Sequence, residues 1–460
     1  MLANCKFGAP GSGSWKRLIR LVEISMDIHH PGLISDCLIS VFTFLKEDDL
    51  IVASCVCKDW HEAAETPWLW RRLCLQRWSF CNFAVTGTED VNHSWKRYFL
   101  RRAHLEMKMS KGRSGSYTCK SLRGHTGSVV GLVYLQGSSG HLPHLWNTSA
   151  IVCSASTDGT VRAWNVQNGE LLWCSPVQSP LMQLITDEKH EVVITADSGG
   201  LIKTWQGETG QEMGSFPTAS SHCSLLQYNI SNTWFLTVGT GQGSVCTLEE
   251  SALTKKSSIM VIYTESLTSP AEDEDPLCQS VPVTGLQAAV FIPTQPSRVA
   301  VVHNKRPNKK ILSVFDVSIK KSKYKSEIQV QQVESFTLNT SSSQILLEAK
   351  NSNCLLLAAN QELLVYSLKG ALLASFKEHT MPISSMCVDS FRVVTASRDL
   401  SLRVLTWRND GTLESRYHLL GGSHTMARGF THVACDYSSI VASTEGKDGK
   451  DVLKAYYFTS

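Results

Sequence analysis

The stretch IVCSASTDGTVRAWN (151–165) returns in altered form down the chain, and this recurrence constrains the fold more than any other feature. VVITADSGGLIKTWQ (192–206), FLTVGTGQGSVCTLE (235–249) and RVVTASRDLSLRVLT (392–406) are recognisable copies. RVAVVHNKRPNKKILSVFD (298–316), CLLLAANQELLVYS (354–367) and IVASTEGKDGKDVLKAYYF (440–458) are weaker ones. Each combines apolar, β-branched runs with a turn rich in Gly, Asp, Asn or Ser, which is how paired strands read. Seven copies at roughly 40–65 residues indicate four-stranded sheets repeated around an axis, a β-propeller. A chain of 460 residues is too long for one ordinary compact domain, and a repeat array accounts for much of that length.

The repeats also interpret their own polar residues. His125, Ser156, Asp158 and Trp164 stand at the spacings of a WD-type repeat. There Trp, Ser, His and Asp form one hydrogen-bonded chain, useful only when every member is satisfied. Gly159 supplies the tight strand-to-strand turn. A Ser/His/Asp catalytic set would use the same residue types, but His379, Ser397 and Asp399 recur in the same order, as repeats do and single active sites do not. Trp164 and Trp205 are matched elsewhere by Leu248, Phe315, Tyr366, Leu405 and Tyr456, with Trp407 two residues beyond Leu405 on the same strand face. Gly199 stands in the second copy where Asp158 stands in the first. Those sheets are expected to depend on apolar packing. SYTCKSLRGH (116–125) is expected to pair with the last sheet and remove its free edge. SSIMVIYTES (257–266) fits an outer strand, and LTSPAEDEDP (267–276) an acidic exposed loop.

Ahead of the repeats the pattern is helical. Residues 1–27 read as a flexible leader containing a poorly capped amphipathic segment, WKRLIRLVEI. In 33–45, Ile34, Leu38, Val41, Phe42 and Leu45 form one helical stripe. In 46–65 an acidic start suits a helix N-terminus, and Leu50, Ala53, Val56, Cys57, Trp60 and Ala64 would share one face. Thr66 and Pro67 signal another helix as cap and first residue. Ser94 caps a further one, with Trp95, Tyr98, Phe99 and Arg102 in register. KGRSGSYT (111–118) then breaks the pattern. The expected organisation is a leader (1–27), a small helical domain (28–78), a helical linker (79–117) and the propeller (118–460).

Composition narrows the function classes. A net charge of +3 gives no dominant electrostatic partner such as nucleic acid. The basic runs NKRPNKK (304–310) and KKSKYK (320–325) read as solvated turns. The 15 cysteines are scattered without a zinc-type pairing, so no metal or other cofactor is implied and a reducing compartment is expected. No secretory signal or run of about 18 apolar residues is present, so no membrane span is expected.

The two halves together resemble the F-box/WD-repeat family. The resemblance is carried by DCLISVFTFLKEDDLIVASCVCKDWHEAAETPWLWRRLCLQRW, notably VCKDW and LWRRL, by the helix HSWKRYFLRR, which is similar to the family's linker helix, and by the repeats that follow. It covers about 28–460. One departure is that Pro31 precedes Gly32 and Leu33, where many F-boxes begin with Leu-Pro. The resemblance implies a multidomain α plus all-β fold: an F-box, a linker helix and a degenerate seven-bladed propeller. It implies a non-catalytic substrate receptor of an SCF ubiquitin ligase, in the cytoplasm or in cytoplasm and nucleus. The F-box would dock a Skp-type adaptor joined to a cullin and a RING subunit, and the propeller's narrow top face would bind an unnamed protein substrate. Adaptor-facing candidates are Leu33, Leu38, Val41, Phe42, Leu45, Leu50, Val56, Trp60, Leu69 and Trp70, each either docking or core in so small a domain. Arg398 and Arg428, with Thr157 and Ser198 at matching turn positions, are candidates for the substrate face, where guanidinium would suit phosphate. The alternative is a non-degradative WD-repeat scaffold with a weakened F-box.

Overall fold

A computed structural model describes residues 31–78, 94–135, 150–187, 192–217, 223–230, 233–241, 257–264, 277–281, 283, 285–293, 295–306, 309–321, 326–340, 342, 344–350, 353–408, 410–421 and 427–459. The expected leader and the expected acidic loop lie outside these residues, as does Leu248. The described residues divide into two compact units, one up to His104 and the other from Leu105 onward.

The first unit is helical. Its helices are α1 (Pro31–Phe42), α2 (Glu47–Ala53), α3 (Lys58–Ala64) and α4 (Pro67–Arg77), followed by the first part of α5 (Trp95–Lys111). Three acids, Glu47, Asp48 and Asp49, occupy the first turn of α2, where the helix dipole favours negative charge. The single helix expected over 46–65 is two. The chain leaves helical geometry after Ala53, where Ser54 Oγ bonds back to Ile51 O at 2.7 Å, and α3 starts at Lys58. This interruption removes Val56 and Cys57 from the buried face. Thr66 makes no side-chain cap, so α4 relies on Pro67 in its first turn. Ser94 does cap α5, accepting a bond from Arg97 N at 3.1 Å.

Among the described residues the second unit is all-β apart from the end of α5. Its strands pair into seven antiparallel four-stranded sheets. Six are built from consecutive strands and span residues 129–174 (sheet I), 181–217 (II), 223–281 (III), 286–338 (IV), 345–376 (V) and 383–420 (VI). Sheet VII joins Ala427–Cys435, Ser439–Gly446 and Val452–Phe458 to the first strand of the unit, Tyr117–Leu122. That strand runs in register from Tyr117 opposite Phe458 to Leu122 opposite Leu453. The array is a β-propeller closed by the first and last strands of the unit, so the last sheet has no missing strand.

Sheet III departs from the sequence alignment. Thr233–Gly241 pairs not with residues just beyond it but with Ser257–Thr264, which is the third strand; the outer one is Leu277–Val281. Ser257–Thr264 is rich in β-branched residues and supplies the pairing partner that the turn-rich 242–249 lacks.

Register explains why the tryptophan position tolerates replacement. Trp164 faces Val152, Trp205 faces Val193, Phe315 faces Val299, Tyr366 faces Leu355, Leu405 faces Val393 and Tyr456 faces Ile440. All six are buried against an aliphatic neighbour on the same sheet. The position needs bulk, and only some sheets add a polar use for the indole. The end of α5 is fixed the same way: Leu105 and Met109 pack among Val394, Val404, Phe430, Tyr456 and Phe458. Tyr417 Oη donates to Met109 O at 2.6 Å and Lys108 Nζ to Thr459 O at 2.7 Å.

Gly159 sits at φ +79°, and a Cβ there would lie 2.1 Å from the Gln178 carbonyl oxygen, which belongs to rigid backbone. Gly159→Ala is therefore expected to destabilise the protein by more than about 1 kcal/mol, read as a lowered denaturant midpoint. An unchanged midpoint would contradict this account of the turn.

Candidate functional site

Two sets of residues bear on function, one in each unit. In the helical unit the adaptor candidates divide sharply. Leu38, Phe42, Leu50, Leu69 and Trp70 are buried and form the domain's own core. Trp70 Nε1 donates to Ala64 O at 2.7 Å, its ring lies 5.6 Å from Phe99, and Lys96 sits over it while pairing with Glu65. Val41, Leu45 and Trp60 are half-buried, Trp60 packing edge-on against Phe42 at 5.4 Å. Of Leu33 the backbone is described as helical and the side chain lies outside the described residues.

The exposed apolar side chains are mostly ones the pattern did not nominate. Phe44 is 88% exposed, Val56 58%, Trp68 54% and Val52 53%. Phe44 follows the end of α1, Val52 lies on α2, Val56 in the turn that interrupts 46–65, and Trp68 in the first turn of α4. A hydrophobic-stripe reading could not find them, because it selects residues that agree with a buried face. The signal available was the residue left off the stripe, such as Phe44 beside Leu45. Trp78 is buried, packing on α5 through Tyr98 and Phe99 at 6.3 and 5.0 Å, with the Arg102 guanidinium 4.7 Å from its ring centre.

In the propeller, the polar network forms with one change of member. His125 Nδ1 lies 3.0 Å from Asp158 Oδ2, and His125 Nε2 lies 2.7 Å from Ser154 Oγ, to which Trp164 Nε1 donates at 2.9 Å. The linking serine is Ser154, not Ser156. Ser156 Oγ instead accepts from Asp158 N at 3.2 Å and shapes the turn. Sheet VI repeats the arrangement: His379 bridges Asp399 at 2.9 Å and Thr395 at 2.8 Å, while Ser397 Oγ donates to Met381 O. In sheet II Trp205 donates to Thr195 Oγ1 at 3.0 Å, and Asp197 takes over the turn by accepting from Gly199 N and Leu201 N. Ser154, Thr195 and Thr395 stand at the same place in VCSAS, VITAD and VVTAS, so the hydroxyl was legible in the aligned copies. It sits two residues before the motif serine and so on the same strand face.

These groups are structurally committed. Burial alone would raise the Asp158 carboxyl, but hydrogen bonds from His125, Thr160 and the Thr126 N–H outweigh it and hold the group well below the usual carboxylate range. Asp399 is held low by Ser401, His379 and Thr380 against the same burial. Burial lowers His379 despite its partner Asp399. A histidine fixed at both ring nitrogens has no position left from which to activate a nucleophile.

The substrate-face candidates are partly brought together. Arg398 and Arg428 flank one carboxylate, Glu445, at 3.8 and 3.6 Å, with both arginine side chains more than half exposed. Gly429 makes this approach possible, since a Cβ there would lie 2.4 Å from Arg398 Cα. Thr157 and Ser198 occupy the corresponding turns of sheets I and II; Thr157 Oγ1 accepts from Ser128 N and the Ser198 N–H donates to Pro180 O.

Residues 35–76 match the F-box-like family. Human F-box/WD repeat-containing protein 12 is 26% identical, the alignment covering 94% of this chain and 99% of that protein. Mouse F-box/WD repeat-containing protein 15 is 22% identical, covering 90% and 96%. Among solved structures, the WD40 β-propeller domain of Doa1 is similar with a TM-score of 0.47 and 12% identity, covering 73% of this chain and 95% of that one.

Ser154→Ala strands the His125 Nε2 and Trp164 Nε1 positions and is expected to cost about 1–3 kcal/mol for each polar group left unsatisfied. Ser156→Ala should cost less, because it loses one turn bond, and denaturant titration of both variants orders them. Because the folded Asp158 is depressed, its contribution is present above the ordinary aspartate range and is lost as pH falls through the lower folded value. Asp158→Asn is therefore expected to flatten the stability-against-pH curve below the ordinary aspartate range, measured by denaturation from neutral pH down to the lowest pH at which the wild type remains folded.

Proposed function

We propose that this chain, an F-box/WD-repeat protein, is the substrate-recognition subunit of an SCF-type ubiquitin ligase. In this reading the helical unit docks a Skp-type adaptor, itself joined to a cullin and a RING subunit, and the propeller holds the protein to be ubiquitinated. The observation that carries it is the set Phe44, Val52, Val56 and Trp68. They remain exposed although the domain already has a filled core in Leu38, Phe42, Leu50, Leu69 and Trp70. Large apolar side chains held out on short helices and the turns beside them fit a groove on a partner, where burying each stabilises the complex by about 1.5–3 kcal/mol.

On the propeller, the arginines that would meet a substrate are Arg398 and Arg428. Glu445 between them leaves a net charge of one positive unit for three side chains. That favours an acidic or mixed peptide over a multiply phosphorylated one, for which further unpaired cations would be needed. The chain would perform no covalent chemistry itself; the ligase's other subunits would.

The test is pull-down of the full-length protein with a purified Skp-type adaptor. Val56→Asp and Trp68→Asp are each expected to reduce recovery at least tenfold while the melting temperature stays within the wild-type range. Unchanged recovery in the double variant would overturn the docking assignment. Adaptor recovery without any change in partner abundance on cullin inhibition would instead favour a non-degradative scaffold.

A further inference from the structure

The innermost strands of sheets VI and VII, Ile383–Val388 and Ala427–Cys435, lie side by side. Val433 N donates to Ser385 Oγ at 3.1 Å, and Ser384 Oγ donates to Phe430 O at 2.6 Å. Two residues further along both strands, at the same sequence separation of 48, Cys387 Sγ and Cys435 Sγ face each other at 3.4 Å. Both residues are half-buried, so a small oxidant has access.

The surroundings give the pair chemistry as well as packing. Cys435 Sγ lies 3.7 Å from Asp389 Oδ2, which pairs with Arg392 Nε at 2.9 Å. Arg392 Nη1 in turn meets Met109 Sδ at 2.8 Å. A sulfur pair therefore adjoins an ion pair, of which Arg392 is buried and Asp389 half-buried, and the anchor of α5. We propose that Cys387 and Cys435 form an oxidative modification site, at which a peroxide converts the two thiols into a disulfide stapling sheet VI to sheet VII.

The geometry needs little change. A disulfide has sulfurs about 2.05 Å apart, so the present separation of 3.4 Å must close by roughly 1.4 Å, within reach of side-chain rotation and slight strand movement. The hydrogen bond with Cys387 and burial together push the Cys435 thiol up, which disfavours Cys435 as the first to react. The Cys387 thiolate attacks one peroxide oxygen and the O–O bond breaks. Cys387 becomes a sulfenic acid, and the departing hydroxide leaves as water with the thiol's proton. The Cys435 sulfur then attacks the Cys387 sulfur, and the S–O bond breaks. The hydroxyl leaves as a second water, carrying the Cys435 proton. Two thiols and one hydrogen peroxide give one disulfide and two waters.

The bond would cross the junction between the last two sheets at the far end of both strands from Arg398 and Arg428: Cys387 lies opposite Val394 and Cys435 opposite Ile440, whereas Ile383 pairs with Ser397 and Ala427 with Gly446.

Purified full-length protein, fully reduced and then exposed to hydrogen peroxide, is mapped as peptides without reduction. The expected product is one linked peptide containing Cys387 and Cys435, lighter by two hydrogens than its halves, formed before any other linkage and reversed by dithiothreitol. The melting temperature should rise on oxidation of the wild type and stay unchanged in Cys387→Ser and Cys435→Ser. Recovery of the two cysteines in separate peptides, as free thiols or as sulfinic acids, while other cysteines link, would overturn the proposal. So would a melting shift that persists in both variants.

Discussion

The pairing of Tyr117–Leu122 with Val452–Phe458 is the interaction on which the rest of the β unit depends. A ring of sheets has no partial form with all edges covered: until the first and last strands meet, sheet VII lacks its outer strand. Closure is reinforced at the junction with sheet I. Asp451 Oδ2 accepts from Val129 N at 2.8 Å, and Tyr134 Oη lies 2.9 Å from Ser439 Oγ. Sequence separations of more than 300 residues lie behind these bonds, so closing entropy must be met by interactions formed late. The end of α5 adds to the seal. Leu105 and Met109 enter the core shared by sheets VI and VII, beside the strand that closes the ring.

Much of this architecture was legible because a propeller repeats its instructions. The apolar–turn–apolar pattern located nearly every second and third strand, and the closing strand followed from the need to remove an edge. Sheet III was misread because the copy at 235–249 continues past Gly241 with a plausible turn, whereas its pairing partner is Ser257–Thr264. Strand identity there was decided by long-range pairing, which a local pattern does not encode. The serine of the hydrogen-bond chain was misassigned for a related reason. Ser154 and Ser156 share a strand face, and only the position of the Trp164 indole selects Ser154.

The helical unit was legible as helices and less so as a surface. A stripe of apolar residues tells which side chains agree with a common face, and Leu38, Phe42, Leu50, Leu69 and Trp70 do form the core. The same logic counted Val56 as part of that face, yet the break after Ala53 turns it outward. In a domain this small the core consumes most of the periodic residues, so whatever docks must be sought among apolar residues that violate the period. Phe44 and Trp68 are of that kind, and neither has a packing reason to be large.

The erosion of the repeats and the location of the candidate substrate face are physically connected. The His–Asp arrangement is complete in sheets I and VI, where a buried histidine, a carboxylate and a hydroxyl lock the end of the sheet. In sheet VI that locked turn is the one carrying Arg398, with Asp399 tied to His379 and Ser401 on one side and Arg398 exposed on the other. A long arginine loses rotamer freedom on binding, and a rigid backbone beneath it reduces what else must be ordered. Sheets IV and V fill the tryptophan position with Phe315 and Tyr366, which hold their cores by packing. The polar lock is complete in sheet I and again in sheet VI, where it lies beneath Arg398.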